Sequence, residues 1–303
     1  MEKVFKVFFD DFLQYLKLER GLAVNSIKAY ASDLNEFAEQ SSCRDPLKVT
    51  ALNINEYFSS LNWKGQRPST LARKISSLKR FFGYLKDNGQ IKENPALAYS
   101  APKIARYHPD YLSPEEIKRI IETIKPEDND STRNRAVIEL LYGSGLRLSE
   151  LINLKIADIE FEAGFLRILG KGNKQRLVPL GDFAGKAVTD YLITRKESGS
   201  GAESEFVFLN RYGKIFSRVG LWKIIKKLVM QAGIVKKVTP HTFRHSFATH
   251  LIEGGADLRM VQEMLGHADI STTEIYTKID RDYIIAEHKK YHPRELGRNP
   301  KSR

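Results

Sequence analysis

The sequence holds one cysteine, Cys43, among 303 residues. A lone thiol excludes an internal disulfide framework and fits a reducing compartment, so a cytoplasmic protein is expected. No uninterrupted apolar run approaches the ~20 residues that a membrane-spanning helix needs. The acidic pair Asp10-Asp11 comes too early for a signal peptide. Acidic residues are themselves in deficit: 37 Asp and Glu stand against 49 Lys and Arg, a formal net charge of +12. That balance favours a polyanionic partner, nucleic acid ahead of an anionic membrane. A zinc helix of the H-E-x-x-H kind is excluded, since no Asp or Glu lies between Pro240 and Ile252. A phosphate loop of the form G-x-x-x-x-G-K-[ST] is missing too, as are internal repeats and low-complexity segments.

What is present is enough chain for one large or two ordinary domains. Residues 1–102 read as almost wholly helical. Phe5, Phe8, Phe9, Phe12, Leu13 and Leu16 recur at helical spacing until Gly21, and Ile27, Tyr30, Leu34 and Phe37 mark a second helix. A third covers Asn53 to Leu61, and a fourth, Thr70 to Asp87, carries Leu71, Ile75, Leu78, Phe82 and Leu85. Its polar side presents Arg73, Lys74, Lys79 and Arg80 near Ser69, Ser76 and Ser77. Such a face is either simply solvated or suited to phosphate contacts.

Residues 103–112 are basic, rich in His and Tyr, and broken by proline, so they predict a linker. The second domain, 113–303, opens on Ser113-Pro114-Glu115-Glu116, an N-cap, an N1 proline and a capping-box acid announcing a helix through Ile124. Another helix is expected from about Arg133 to Tyr142, ended by Gly143-Ser144-Gly145, with Leu146-Arg147 opening a third. A Gly-bounded turn before a helix suits an anion, although Arg147 also has an i,i+3 partner in Glu150. Phe165 to Leu169 and Gln175 to Leu180 read as a β-hairpin tipped by Gly170-Lys171-Gly172-Asn173-Lys174. Lys171 there is either an ordinary turn lysine or a cation brought close to a ligand. From Asp182 to Gly233 the pattern gives scaffold helices and a short strand at Phe206 to Leu209. From Lys289 onward the chain is basic and Pro-broken, a tail and not a core element.

The densest cluster of signals runs from Thr239 to Tyr276. Thr239 is placed to N-cap a helix with Pro240 at N1, which puts His241 in the first turn and Arg244 one turn on. Gly254-Gly255 stops this helix, Asp257 caps the next, and Gly266 ends that one just before His267. Ser271-Thr272-Thr273-Glu274 is a capping box, so Tyr276 falls early on a short helix. Two histidines, an arginine and a tyrosine brought together around a helix N-terminus suggest phosphate handling. Any one of them alone would pass for a surface or core residue.

Taken in order, Thr239-Pro240-His241, Arg244-His245-Ser246-Phe247-Ala248-Thr249-His250, Leu265-Gly266-His267 and Ile270-Ser271-Thr272-Thr273 with Tyr276 resemble the tyrosine recombinases, the Xer type above all. The resemblance covers nearly the whole chain. It implies a mainly α fold: a helical N-terminal core-binding domain that clamps duplex DNA, with Arg73, Lys74, Lys79 and Arg80 as its expected contacts, and a mixed, mostly α catalytic domain with a small antiparallel sheet. Gly145-Leu146-Arg147 resembles the family's first catalytic arginine, and Gly170-Lys171-Gly172 its lysine hairpin. The implied catalytic set is Arg147, Lys171, His241, Arg244, His267 and the nucleophile Tyr276. The implied chemistry is a 3′-phosphotyrosine and a free 5′-hydroxyl, with no ATP, metal or other cofactor. Also implied are a double-stranded recombination site, a tetramer of itself or with a sister recombinase, an FtsK-like DNA translocase as a further partner, and a C-terminal helix with Tyr283-Ile284-Ile285 docking on a neighbouring protomer.

Three departures, Lys278 for a common His, Ala23 for Ser and Phe243 for Leu, miss those six positions. A mobile-element integrase would share the chemistry, but its extra arm-binding domain would need room before Phe5. A non-catalytic clamp is opposed by the intact set. A type IB topoisomerase would relax supercoils without pairing two sites.

Overall fold

The computed structural model describes residues 3–63, 65–100, 111–169, 175–199, 201, 203–266 and 278–296. They fall into two compact units, Met1–Tyr107 and His108–Arg303. The first is helical: α1 (Lys3–Leu18), α2 (Val24–Gln40), α3 (Ala51–Trp63) and α4 (Pro68–Asp87). The aromatic positions at helical spacing make its core, with Phe5, Phe12, Phe37, Phe81 and Phe82 fully buried and Phe12 edge-on to Phe81 at 5.5 Å.

The polar side of α4 is less free than its sequence suggests. Lys74 is buried, its ammonium ion-paired with Glu36. Arg73 meets the buried Asp33 at 2.5 Å, and Ser77 donates to the same carboxylate at 2.7 Å. Charge taken out of water must be paired, so Lys74 is a core cation and its expected duplex contact is withdrawn. Lys79 is half-buried and Arg80 exposed, the latter donating to the Tyr30 hydroxyl at 2.9 Å.

The second unit holds α5 (Pro114–Glu122), α6 (Asn129–Gly143), α7 (Leu148–Ile152), a three-stranded antiparallel sheet of β1 (Ile159–Glu160), β2 (Phe165–Leu169) and β3 (Gln175–Pro179), then α8 (Asp182–Glu197), α9 (Arg218–Gln231), α10 (Pro240–Gly254), α11 (Leu258–Leu265) and α12 (Lys278–Tyr291). The expected linker at 103–112 falls mostly outside the described residues. Leu112 is fully buried, and its N–H donates to Ser246 on α10 at 2.8 Å. The capping box at Ser113 forms as read: Glu116 N–H donates to Ser113 Oγ at 3.2 Å and Ser113 N–H to Glu116 at 2.8 Å. Helix α6 starts at Asn129, ahead of the expected Arg133, because Asp128 accepts from Ser131 N–H at 2.7 Å. That polar first turn precedes the apolar residues that mark the helix in the sequence.

No regular strand forms at Phe206 to Leu209, which makes only isolated bridges, Lys155 to Phe206 and Leu209 to Ile215. The carbonyls of Phe206 and Val207 accept instead from the buried Arg195, at 2.6 and 3.0 Å. The backbone acceptors are thus satisfied by a guanidinium and not by a neighbouring strand.

The C-terminal segment is also corrected. Through residue 291 it is helical, with His288, His292 and Ile284 buried. His288 Nε2 lies 2.8 Å from the Gly143 carbonyl, and Arg294 pairs with the buried Glu139. A Cβ on Gly254 would meet the Tyr291 carbonyl at 2.7 Å, so the ends of α10 and α12 approach at backbone distance. Residues 278–296 therefore belong to the core of their own unit, where basic composition and a proline suggested a tail. Of the expected patch, Ile284 is turned inward and Tyr283 outward. Among the described residues no helix is long and apolar enough to cross a membrane.

Candidate active site

Local sequence dictates how each arginine is presented. Gly145 takes a φ of +58°, and a Cβ there would lie 2.5 Å from Phe247 on α10. The turn therefore needs glycine twice, for its left-handed backbone and for its packing. Arg147 follows as the N-cap of α7, and Glu150 at N3 reaches back to accept its N–H at 2.8 Å. Thr239 caps α10 with Pro240 in the first turn. His241 is exposed on that turn, and Arg244 one turn on is buried. Asp257 caps α11 by accepting from Met260 N–H at 3.0 Å, and Gly266 closes it with φ +65°.

These elements bring Arg147, Arg176 and Arg244 around one carboxylate. Glu150 accepts from Arg176 Nη1 at 2.9 Å and Nη2 at 2.8 Å, and from Arg147 Nη1 at 2.8 Å. Arg244 Nη1 stands 3.8 Å from it. On the other side lie the last carbonyls of α11. Arg176 Nε donates to Met264 at 2.8 Å, Arg244 Nη2 to Leu265, and Arg147 Nη2 reaches Gly266 at 3.5 Å. A helix C-terminus carries unpaired carbonyls and partial negative charge, which suits all three cations. Arg244 also donates to Gly145 at 2.8 Å, tying α10 to the turn before Arg147.

Burial alone would lift the Glu150 carboxyl, but the hydrogen bonds and charge of Arg176, with the hydrogen bonds of Arg147, hold it at about 2. Burial, then the charge of Arg147, pushes the Arg244 guanidinium down to about 9, against the pull of Glu150. It stays protonated at neutral pH. Three cations against one full negative charge leave the cluster net positive, so a bound anion would relieve their repulsion. Arg147 is the accessible member, its side chain 37% exposed against 10% for Arg244. Beside it opens a cleft of about 810 Å³ lined in part by Arg147, Ser149, Lys155, Arg167 and Gln175. The arrangement is built to grip an oxyanion.

Of the residues expected at the site, Arg147 and Arg244 are thus brought together, with His241 on the same helix as Arg244. Lys171, His267 and Tyr276 lie outside the described residues. Sequence reasoning noted Glu150 only as an i,i+3 partner of Arg147 and passed over Arg176. The one available signal was Arg176 on the inward side of a strand, a charge that must find a buried partner.

Comparison with known proteins agrees with this geometry. The model of the phage integrase family matches residues 110–282, and that of the phage integrase N-terminal SAM-like domain matches residues 9–89. The tyrosine recombinase XerD of Oceanobacillus iheyensis is 41% identical over 94% of this chain and 98% of its own. That of Listeria innocua is 40% identical over the same shares. Among solved structures, XerH bound to palindromic difH substrate in a post-cleavage complex is 27% identical with a TM-score of 0.68, covering 91% of this chain and 82% of that one. A lambda integrase dimer bound to a core site, 19% identical with a TM-score of 0.68 over 90% of this chain and 99% of that one, shares the fold. The chain belongs to the phage integrase family and is a Xer-type tyrosine recombinase, an enzyme that breaks and rejoins DNA strands at specific sites.

Proposed function

We propose that the enzyme cleaves a double-stranded recombination site through Tyr276. The phenolic oxygen forms a bond to the scissile phosphorus, the bond to the 5′ oxygen breaks, and a 3′-phosphotyrosine remains. Arg147 and Arg244 neutralise the non-bridging oxygens, with His267 as a third donor. His241 hydrogen-bonds an oxygen or helps deprotonate the tyrosine, and Lys171 protonates the departing 5′ oxygen. The observation that carries this reading is the net-positive cluster on Glu150, with Arg147 accessible beside an open cleft.

The bond energy is kept in the protein–DNA link, so strand exchange needs neither ATP nor metal. Four protomers, of this chain alone or with a sister recombinase, would hold the two duplexes through a Holliday junction. Residues 1–102 act as the core-binding clamp, with duplex contacts from Arg73, Lys79 and Arg80; 103–112 form the linker and 113–303 the catalytic domain. Resolution of chromosome or plasmid dimers in the cytoplasm, licensed by an FtsK-like translocase, is the setting that suits relatives named XerD.

Tyr276→Phe tests the assignment. It should bind the duplex as the unaltered chain does and form no covalent adduct on a nicked substrate. An adduct that survives in the Phe variant removes Tyr276 from the nucleophile's role.

A further inference from the structure

The three guanidiniums on Glu150 are not equivalent. Arg147 keeps an open face, whereas the Arg176 side chain is only 7% exposed. Its donors are also committed, both Nη atoms to Glu150 and Nε to Met264. Three of its five N–H donors are so used, on a side chain with almost no surface left open to a phosphate. Glu150 is equally full. Oε1 takes Arg176 Nη1 and Arg147 Nη1, and Oε2 takes Arg176 Nη2 and the Arg147 N–H. Those four donors use the roughly four lone-pair positions that a carboxylate offers.

Arg176 is the second residue of β3, the strand that begins directly after residues 170–174 and so stands five positions beyond Lys171 in sequence. Through Glu150 it reaches both the main chain and the side chain of Arg147. Through Met264 it reaches the end of α11, one residue before the carbonyl that Arg244 holds and three before His267. Gly266 packs against the same side chain, since a Cβ there would lie 2.8 Å from Arg176 Cδ. One buried fork therefore joins three segments far apart in sequence, each carrying a member of the proposed catalytic set.

We infer that Arg176 is a positioning residue of the strand-cleavage step, fixing Arg147 through Glu150 and the end of α11 through Met264 while making no contact with the phosphate itself. The inference rests on the reading of Arg147 and Arg244 as the phosphate grip. Lysine cannot replace this arginine: a tetrahedral ammonium lacks the planar fork that spans both carboxylate oxygens with a donor left for Met264.

The test uses the full chain carrying Arg176→Lys, Glu150→Gln, or both, with a nicked duplex as substrate. Duplex affinity, melting temperature and the single-turnover rate of covalent adduct formation are read for each. Arg176→Lys should hold affinity and melting temperature near those of the unaltered chain and slow adduct formation on the order of 100-fold, the cost of a small misplacement of reacting groups. The double variant should be little slower than the slower single one, because both changes break the same link. Arg176→Met is the more severe variant; if it fails to fold, the Lys and Gln variants still decide. An unchanged adduct rate in Arg176→Lys, a loss that follows the melting temperature, or fully additive losses would each overturn the inference. Absence of adduct from the unaltered chain would instead sink the cleavage reading on which it rests.

Discussion

His288 Nε2 lies 2.8 Å from the carbonyl oxygen of Gly143, the last residue of α6 and the start of the turn that delivers Arg147. The ring is fully enclosed, stacked at 4.7 Å on His292, which in turn packs at 4.7 Å on Tyr142. Tyr142 shares a hydrogen bond of 2.8 Å with His250 Nδ1. Helix α12 thus docks through a run of buried imidazoles directly behind the turn that precedes Arg147.

Burial pushes His288 down to about 4 despite the Gly143 carbonyl, with Lys289 lowering it further and Asp182 opposing. His292 is likewise lowered, by burial and then by His288, and His250 by burial against Glu253 and Glu115. A histidine whose folded pKa is depressed takes up its proton first in the unfolded chain. Its contribution to stability is complete above the unfolded value near 6.5 and is lost as pH falls toward 4. We expect the melting temperature of the catalytic unit to fall between pH 7 and pH 5. His288→Gln, which offers a donor without a titration, should flatten that slope. An equally steep slope in this variant would place the dependence elsewhere.

Truncation before Lys289 would remove His292 and Arg294 from this packing. Arg294 pairs with the buried Glu139 and lies 4.0 Å over the Phe183 ring. An unpaired buried carboxylate costs about 3 kcal/mol or more. That predicts a melting temperature lower by roughly 6–12 °C for the truncated chain and for Arg294→Ala. A deletion that left thermal stability unchanged would show that these contacts contribute nothing in solution.

On α4 the cations divide by burial. Arg80→Ala should weaken duplex binding and reduce the slope of log affinity against log salt by roughly 0.9 for each phosphate no longer neutralised. Lys74→Met should leave that slope unchanged and cost the helical unit about 2 kcal/mol through the abandoned Glu36. A salt slope altered by Lys74→Met as much as by Arg80→Ala would contradict the division.

Lys171 is tested by substrate chemistry. A thiolate leaves without the proton that an alkoxide needs. Sulfur in place of the bridging 5′ oxygen should therefore rescue Lys171→Ala and do little for Arg147→Ala, whose loss is charge neutralisation at the non-bridging oxygens. Equal rescue of both would remove Lys171 from the general-acid role.

Local signals in the sequence were sufficient for most of the caps and turns, the Asp128 cap of α6 excepted. Ser113 with Glu116, Thr239 with Pro240, Asp257, Gly255 and Gly266 all act within a few residues of the helix ends they define. The hairpin was legible for the same reason, and so were the positions of Arg147, just after the Gly145 turn, and of Arg244, one turn inside the helix that Thr239 caps. What the sequence hid depends on distant partners. Arg176 looks like any strand arginine until Glu150 is brought to it, Lys74 like any helix-face lysine until Glu36 is, and the basic C-terminus like a tail until Gly143 and Glu139 receive it. Composition reports charge but does not report which charges are buried.

The most direct test of cleavage through Tyr276 is to trap the protein on a nicked duplex, digest the adduct, and identify by mass spectrometry both the linked residue and the DNA end it carries. The expected product is a single peptide joined through Tyr276 to a 3′-phosphate, with a free 5′-hydroxyl on the other strand end. A link through any other residue, a 5′-phosphate link, or no adduct at all would contradict it.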